Sequence, residues 1–141
     1  MDDPNANRTK AEQLHLHATQ RYIRLNAHIK VYRSRNEQTE QLARNGIEFI
    51  EAALTLFPDD PNYLNTYALL LADGLGQKQP ALNVLQRASQ LAPDNIQIRQ
   101  NTRDLQAGGL APRALSPGIV IAVIAAVLII IFVIVSVVSQ P

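Results

Sequence analysis

The chain of 141 residues contains no cysteine. This absence excludes disulfides, thiolate metal sites and cysteine nucleophiles. The sequence also lacks a glycine-rich phosphate loop and a nucleophile elbow. Its three histidines, His15, His17 and His28, are not spaced three or four apart, as metal-binding pairs on a helix are. We therefore predict a non-enzymatic protein without cofactor or metal.

The chain also lacks a large net charge of either sign. The formal net charge is +1, and such a balance gives no reason to predict nucleic-acid binding. The charges are unevenly placed, however. Residues 8–35 contain seven Lys or Arg and one acid, whereas residues 36–112 contain five Lys or Arg and nine acids.

Long apolar runs are absent from all but the last part of the chain. The first twenty residues offer no centre for a secretory signal. From Ile119 to Val138 there is no charge, and sixteen of the twenty residues are Ile, Val, Leu or Phe. As a helix, this segment would be roughly 30 Å long, the thickness of a bilayer's hydrocarbon core, and a lone strand would leave its backbone unpaired in lipid. We predict a transmembrane helix over 118–139; the alternative is a buried core helix.

The flanks of the predicted span indicate its orientation. Arg113 precedes the span, and the residues that follow Val138, namely Ser139, Gln140 and Pro141, carry no charged side chain. Since basic residues favour the cytoplasmic side and no secretory signal is recognised, we expect a cytoplasmic N-terminal domain on a bacterial inner membrane or an organelle membrane. Gly118, Ala122 and Ala126 share one side of the predicted span, where a neighbouring helix could approach closely. Alternatively, they only reflect the frequency of small residues in membrane helices.

The remainder of the chain shows the apolar periodicity of helices. Residues 1–8 are polar and predicted to be unstructured. Apolar residues then recur three and four apart in five segments, which predicts helices over about 9–35, 42–57, 62–72, 79–91 and 95–105. The polar stretch 33–41 is interpreted as a turn running into the second helix, with Asn36 or Thr39 as its N-cap. Residues 9–106 thus form an all-α domain, and residues 107–117, which contain Gly and Pro, form a linker to the span.

Two segments of this domain share a pattern, IEFIEAALTLFPDD at 47–60 and LNVLQRASQLAPDN at 82–95. Six positions correspond at a constant separation of 35: Gly46, Ile50, Ala53, Leu56, Pro58 and Asp59 with Ala81, Leu85, Ala88, Leu91, Pro93 and Asp94. A helical hairpin cannot bury its apolar face alone, so similar hairpins stack. The small residues are expected where helices cross closely, and the prolines where each second helix ends.

The same pattern resembles the tetratricopeptide repeat family. Residues 64–93 match one full repeat, through Leu64, Tyr67, Ala68, Leu71, Ala81, Leu85, Ala88 and Pro93, with one extra residue in the DGLG turn. Residues 46–58 match half of an earlier repeat. The resemblance implies antiparallel helical hairpins in a curved stack, whose concave face binds peptide segments of other proteins. It places Asn65 on that face, without a cation to clamp a carboxylate. The alternative is an α-helical bundle in which the similarity of the two segments is due to chance.

Basic residues gather on one side of the first predicted helix. At 100° per residue, six of them fall within about 60° of one another: Lys10, His17, Arg21, Arg24, His28 and Arg35. This basic shoulder is predicted to bind an acidic protein partner or anionic lipid headgroups. The alternative is a solvated face that pairs with the acidic second half of the domain.

Two functions agree with these features. In the first, the chain is an accessory or scaffold subunit whose span packs among the helices of an integral-membrane complex, while its domain makes protein contacts. In the second, it is a tail-anchored adaptor that recruits a cytosolic protein. The second layout is similar to that of the mitochondrial fission adaptors, which combine tetratricopeptide-like helices with a C-terminal anchor.

Overall fold

The structure, a computed structural model, describes residues 4–32 and 34–108. Over these ranges the chain forms five α-helices and no strand. The helices are α1 (Pro4–Tyr32), α2 (Glu37–Leu56), α3 (Pro61–Leu69), α4 (Lys78–Leu91) and α5 (Ile96–Gln106). A π turn, Leu70–Gly74, continues directly from α3. The prediction of an all-α domain with five helices is therefore confirmed for this part of the chain.

The first helix begins earlier than predicted. Residues 4–8, which we expected to be unstructured, form its first turns. Pro4 suits a helix start because its ring fixes a helical φ and the first N–H groups have no partner within the helix. The guanidinium of Arg8 lies 3.6 Å from a carboxylate oxygen of Asp60 and 5.0 Å from the ring centre of Phe57. These contacts attach the start of α1 to the loop after α2.

The second helix begins with a capping box. The Asn36 side chain accepts a hydrogen bond from the Thr39 backbone N–H at 2.9 Å, and the Thr39 hydroxyl accepts one from the Asn36 N–H at 2.8 Å. These two bonds satisfy N–H groups that have no partner within the helix. Asn36 is thus confirmed as the N-cap, and Thr39, the other candidate, is its partner in the first turn.

The second helices of the two hairpins end in the same way. The N–H of Phe57 donates to the Ala53 carbonyl at 3.0 Å, and 35 positions later the N–H of Ala92 donates to the Ala88 carbonyl, also at 3.0 Å. The backbone angles agree too: φ and ψ are −136° and 80° at Phe57, and −138° and 72° at Ala92. The repeat in the sequence is therefore a repeat in backbone geometry.

The following helices are capped at corresponding positions. The Asp60 side chain accepts hydrogen bonds from the first N–H groups of α3, and the Asn95 side chain accepts one from the Ile98 N–H at the start of α5. Such caps typically stabilise a helix by about 1 kcal/mol. Asp60 and Asn95 lie 35 positions apart, so the correspondence between the hairpins extends to these caps.

The helices pack in two layers. Along one layer α1 contacts α3, and α3 contacts α5; in the other, α2 packs on α1 and α3, while α4 packs on α3 and α5. The four small residues expected at the helix crossings, Gly46, Ala53, Ala81 and Ala88, are buried, and so are the apolar Ile50 and Leu85 of the repeat. One apolar cluster lies among α1, α2 and α3, and another among α3, α4 and α5. Hence α3 belongs to both clusters.

The π turn lies where α3 meets the loop before α4. A π turn encloses one more residue than an α turn. Gly74 closes the turn against α1 and α2, because a Cβ there would overlap the Cβ of Ala43 and lie 2.9 Å from Leu25 Cδ1. The turn therefore depends on a residue without a side chain.

Candidate binding surface on the first helix

The basic shoulder of α1 runs beside α2. The ring of His17 lies 5.4 Å from that of Phe49, centre to centre. The stem of Arg21 packs against the backbone of Gly46, where a Cβ would lie 3.3 Å from the Arg21 Cβ. Arg24 is exposed and Arg21 is half-buried. The small residue of the repeat thus makes room for the stem of a basic side chain.

His28 continues this row near the end of α1. Its Nε2 lies 3.1 Å from Gln38 Oε1, and its ring centre lies 4.4 Å from that of Tyr32. Its Nδ1 is buried and has no hydrogen-bond partner among the described residues. The structure therefore brings together four of the predicted residues, His17, Arg21, Arg24 and His28, along one side of the first hairpin.

The charges of this row are not balanced within the described part of the chain. The ion pairs found there are Arg8 with Glu12 and Asp60, Arg44 with Glu40, and Arg87 with Asp59. None of these pairs includes Arg21 or Arg24. The alternative prediction, that the shoulder pairs with the acidic second half of the domain, therefore receives no support from the described ion pairs.

Arg35 does not belong to the row. Because α1 ends at Tyr32 and α2 begins after Asn36, helical periodicity does not extend to position 35. Its guanidinium instead lies against Gly76, which has a φ of +69° and no side chain to obstruct it. The placement of Arg35 on the shoulder was wrong, since it assumed a longer helix.

A half-buried acid lies close to this arginine. The Tyr22 hydroxyl donates a hydrogen bond to Asp73 Oδ2 at 2.8 Å, which joins α1 to the π turn. Burial raises the pKa of Asp73 above its ordinary value, and the Tyr22 hydrogen bond and the charge of Arg35 oppose this rise. Burial, together with the Asp73 carboxylate, raises the pKa of Tyr22. The arrangement is that of a structural contact between two elements.

Asn65, predicted on the concave face, also contacts the neighbouring helix α5. The amide of Asn101 in α5 donates to Asn65 Oδ1 at 2.8 Å. The next residue, Thr66, lies 2.9 Å from His15 Nε2 in α1. These side chains join the three helices of one layer, so the oxygen of Asn65 is occupied within the domain.

Sequence reasoning missed two surfaces. One is an apolar groove of about 400 Å³ among α2, α3 and α4, lined by Leu54, Pro58, Leu64, Tyr67, Asn83, Val84 and Arg87. The other is the side of α1 that faces away from the domain. There Leu16, Ile23 and Val31 are 55%, 60% and 72% exposed. Their spacing of seven and eight residues was a visible signal, but a second and stronger stripe on the same helix obscured it.

Two predictions concern residues that the structure does not describe. The span at 118–139 and its small residues Gly118, Ala122 and Ala126 lie outside the described ranges. Within those ranges, no helix combines the length and apolar character needed to cross a bilayer.

Comparison of the chain with family models, curated proteins and solved structures gave no match. The functional argument therefore depends on the chain's own residues.

Proposed function

We propose that the chain is a non-enzymatic accessory subunit of an integral-membrane complex. Its stacked helical hairpins, similar to tetratricopeptide repeats, make protein contacts, and a single C-terminal helix over 118–139 holds them at the membrane. The carrying observation is the repeated hairpin joint, in which Phe57 and Ala92 have the same bonds and backbone angles 35 positions apart. Stacks of similar hairpins present extended surfaces that commonly bind other proteins.

The basic shoulder supports a contact role for the first hairpin. Arg24 is exposed, the stem of Arg21 is held against α2, and neither charge has an ionic partner among the described residues. Unpaired positive charges on a surface favour an acidic partner and increase the rate of encounter. The partner surface proposed here is therefore the shoulder, rather than the position of Asn65.

The test is purification of the full chain from its own membranes in mild detergent, with identification and quantification of the proteins that accompany it. We expect membrane subunits in fixed stoichiometry. Ala122→Leu would enlarge the small-residue side of the predicted span and reduce their recovery. The matched control is Ile124→Leu. Residue 124 lies two positions after Ala122 and therefore on the other side of a helix, so this variant should not reduce the recovery of the membrane subunits. Equal recovery with both variants would contradict the packing role of Ala122.

The apolar groove favours a second candidate, the adaptor that recruits a cytosolic protein. Its volume of about 400 Å³ falls within the range of sites that bind small ligands, and it could hold an apolar side chain of a peptide. Leu64 and Val84 supply apolar walls, while Arg87, which is bonded to Asp59, lies at the groove. A soluble partner that is retained by residues 1–106 and lost on Val84→Glu would favour the adaptor over the subunit.

A further inference from the structure

The helix α1 is apolar on two opposite sides. Ala11, Ala18 and Leu25 form the inner side and are fully buried. At 100° per residue, four exposed apolar residues fall within about 80° of one another on the other side. They are Leu16, Ile23, Ala27 and Val31, which we call the outer stripe. A helix at the surface of a finished monomer usually has only one apolar side.

Basic residues flank the outer stripe. Arg24 borders it on one side and Lys30 on the other, and both are exposed. From Gln13 to Tyr32 the helix contains no Asp or Glu. Neither Arg24 nor Lys30 forms an ion pair with another described residue. An apolar stripe with cationic flanks is the composition of helices that lie in a membrane interface.

A short linker tethers the domain to the predicted span. Nine residues, 109–117, separate Gly108 from the predicted span at 118–139. Nine residues extend at most about 30 Å. A domain tethered by so short a linker meets the bilayer at a high effective concentration, so weak individual contacts suffice for binding.

We propose that the outer stripe of α1 binds the surface of an anionic membrane. Leu16, Ile23 and Val31 enter the boundary between headgroups and acyl chains, and Arg24 and Lys30 contact lipid phosphates. This inference depends on the membrane anchor of the proposed function. A second copy of the chain fits less well, because two stripes brought together would place the cations of both copies near each other without an acid between them.

The experiment uses the full chain and the absence of cysteine. Ile23→Cys and Ile96→Cys, each labelled with an environment-sensitive fluorophore, are matched variants because these isoleucines are 60% and 67% exposed on different helices. The labelled chains are reconstituted into phosphatidylcholine vesicles with or without phosphatidylserine. We expect a label at 23 to be shielded several-fold from an aqueous quencher in the anionic vesicles, and a label at 96 to remain accessible.

Charge variants identify the lipid contribution. Arg24→Glu with Lys30→Glu should remove the shielding at 23, whereas Arg99→Glu with Arg103→Glu, two exposed sites on α5, should not. Equal loss in both pairs would overturn the proposal. So would shielding that persists in lipid-free detergent and rises with protein concentration, which is the behaviour of a second copy.

A separate measurement distinguishes this inference from the proposed anchor. Alkaline extraction of the vesicles reports whether the chain spans the bilayer. A chain that resists extraction, but whose labels at 23 and 96 are quenched equally, overturns the surface contact alone. A chain that is extracted, but whose label at 23 was shielded before extraction, contradicts the anchor and supports the surface contact.

Discussion

The hydroxyl of Tyr22 and the carboxylate of Asp73 are 2.8 Å apart, and this hydrogen bond joins the middle of α1 to the π turn after α3. The two residues are separated by 51 positions in the chain. Because α1 belongs to the first hairpin and the π turn to the second, the bond fixes how the two hairpins meet along the layer of first helices.

Removal of the tyrosine hydroxyl should therefore destabilise the domain. Tyr22→Phe keeps the ring but leaves the half-buried carboxylate of Asp73 without its donor, which we expect to cost about 1–3 kcal/mol in the free energy of unfolding. Urea unfolding of the full chain in mild detergent measures this loss. Tyr32→Phe, at an exposed ring near the end of α1, is the control and should change stability little. Equal effects of both variants would contradict the role of the Tyr22 bond.

The charge of Asp73 should make stability depend on pH. Burial raises its pKa in the folded state above the ordinary 3.8. Its contribution is therefore fully present below 3.8 and is lost as the pH rises through the folded pKa. Asp73→Asn retains an oxygen that can accept from Tyr22 but does not ionise. The stability of this variant relative to the parent should rise as the pH increases through that window. If the free energies of unfolding of the two proteins changed with pH in parallel, the predicted contribution of Asp73 would be disproved.

His15 should give a dependence of the opposite sign. Burial lowers its pKa below the ordinary 6.5, and the charge of Asp60 opposes this shift only in part. The neutral ring therefore contributes stability that is present above pH 6.5 and is lost as the pH falls through the folded pKa. His15→Gln should remove this loss in urea titrations at stepwise lower pH.

A second variant tests the cause of the His15 effect. Thr66→Val removes the hydroxyl that lies 2.9 Å from His15 Nε2 but keeps the half-buried ring. If burial causes the shift, the acid-side loss of stability persists in Thr66→Val and disappears in His15→Gln. Disappearance of the loss in Thr66→Val, where the ring of His15 is retained, would contradict this assignment.

Two glycines should respond differently to the same substitution. A Cβ at Gly74 would overlap the Cβ of Ala43, which is fixed to the α2 backbone. Gly74→Ala should therefore lower the free energy of unfolding by about 1–3 kcal/mol, the usual cost of overpacking. Thermal unfolding of the full chain, followed by circular dichroism, measures the effect.

Gly46→Ala is the matched comparison. The added Cβ would meet the end of the Leu70 side chain at 2.9 Å, and that end can rotate away. Alanine also stabilises a helix interior by about 1 kcal/mol relative to glycine. The two effects offset each other, so stability should remain near that of the parent. The corresponding position of the second hairpin, Ala81, already carries a methyl group. A larger loss in Gly46→Ala than in Gly74→Ala would contradict both expectations.

The helices and the core could be predicted from the sequence because they depend on local periodicity. Proline and its polar neighbours mark where α2 and α4 end, and Ala53 and Ala88 are small at crossings that the 35-residue spacing reveals. Asn36 was recognisable as a cap because its short side chain precedes an apolar pattern. Apart from the 35-residue spacing, these signals act within a few residues of the feature that they predict.

The parts that could not be predicted depend on contacts between distant residues. The sequence gives no indication that Asn65 accepts a hydrogen bond from Asn101, because the two residues are 36 positions apart and lie on different helices. Arg35 continues a basic periodicity that the end of α1 interrupts. The outer stripe was visible in principle, but the periodicity of a helix with two apolar sides is dominated by the stronger one. The π turn could not be predicted either, because nothing in the sequence LLADG distinguishes a π turn from an α turn.

The position of α3 has a consequence for cooperativity. Its Tyr63 packs in the cluster shared with α1 and α2, and the adjacent Leu64 packs in the cluster shared with α4 and α5. If either hairpin opened, α3 would expose one of its two apolar sides to water. The domain should therefore unfold in a single transition. A mechanical force applied at either end would have to disrupt both clusters together.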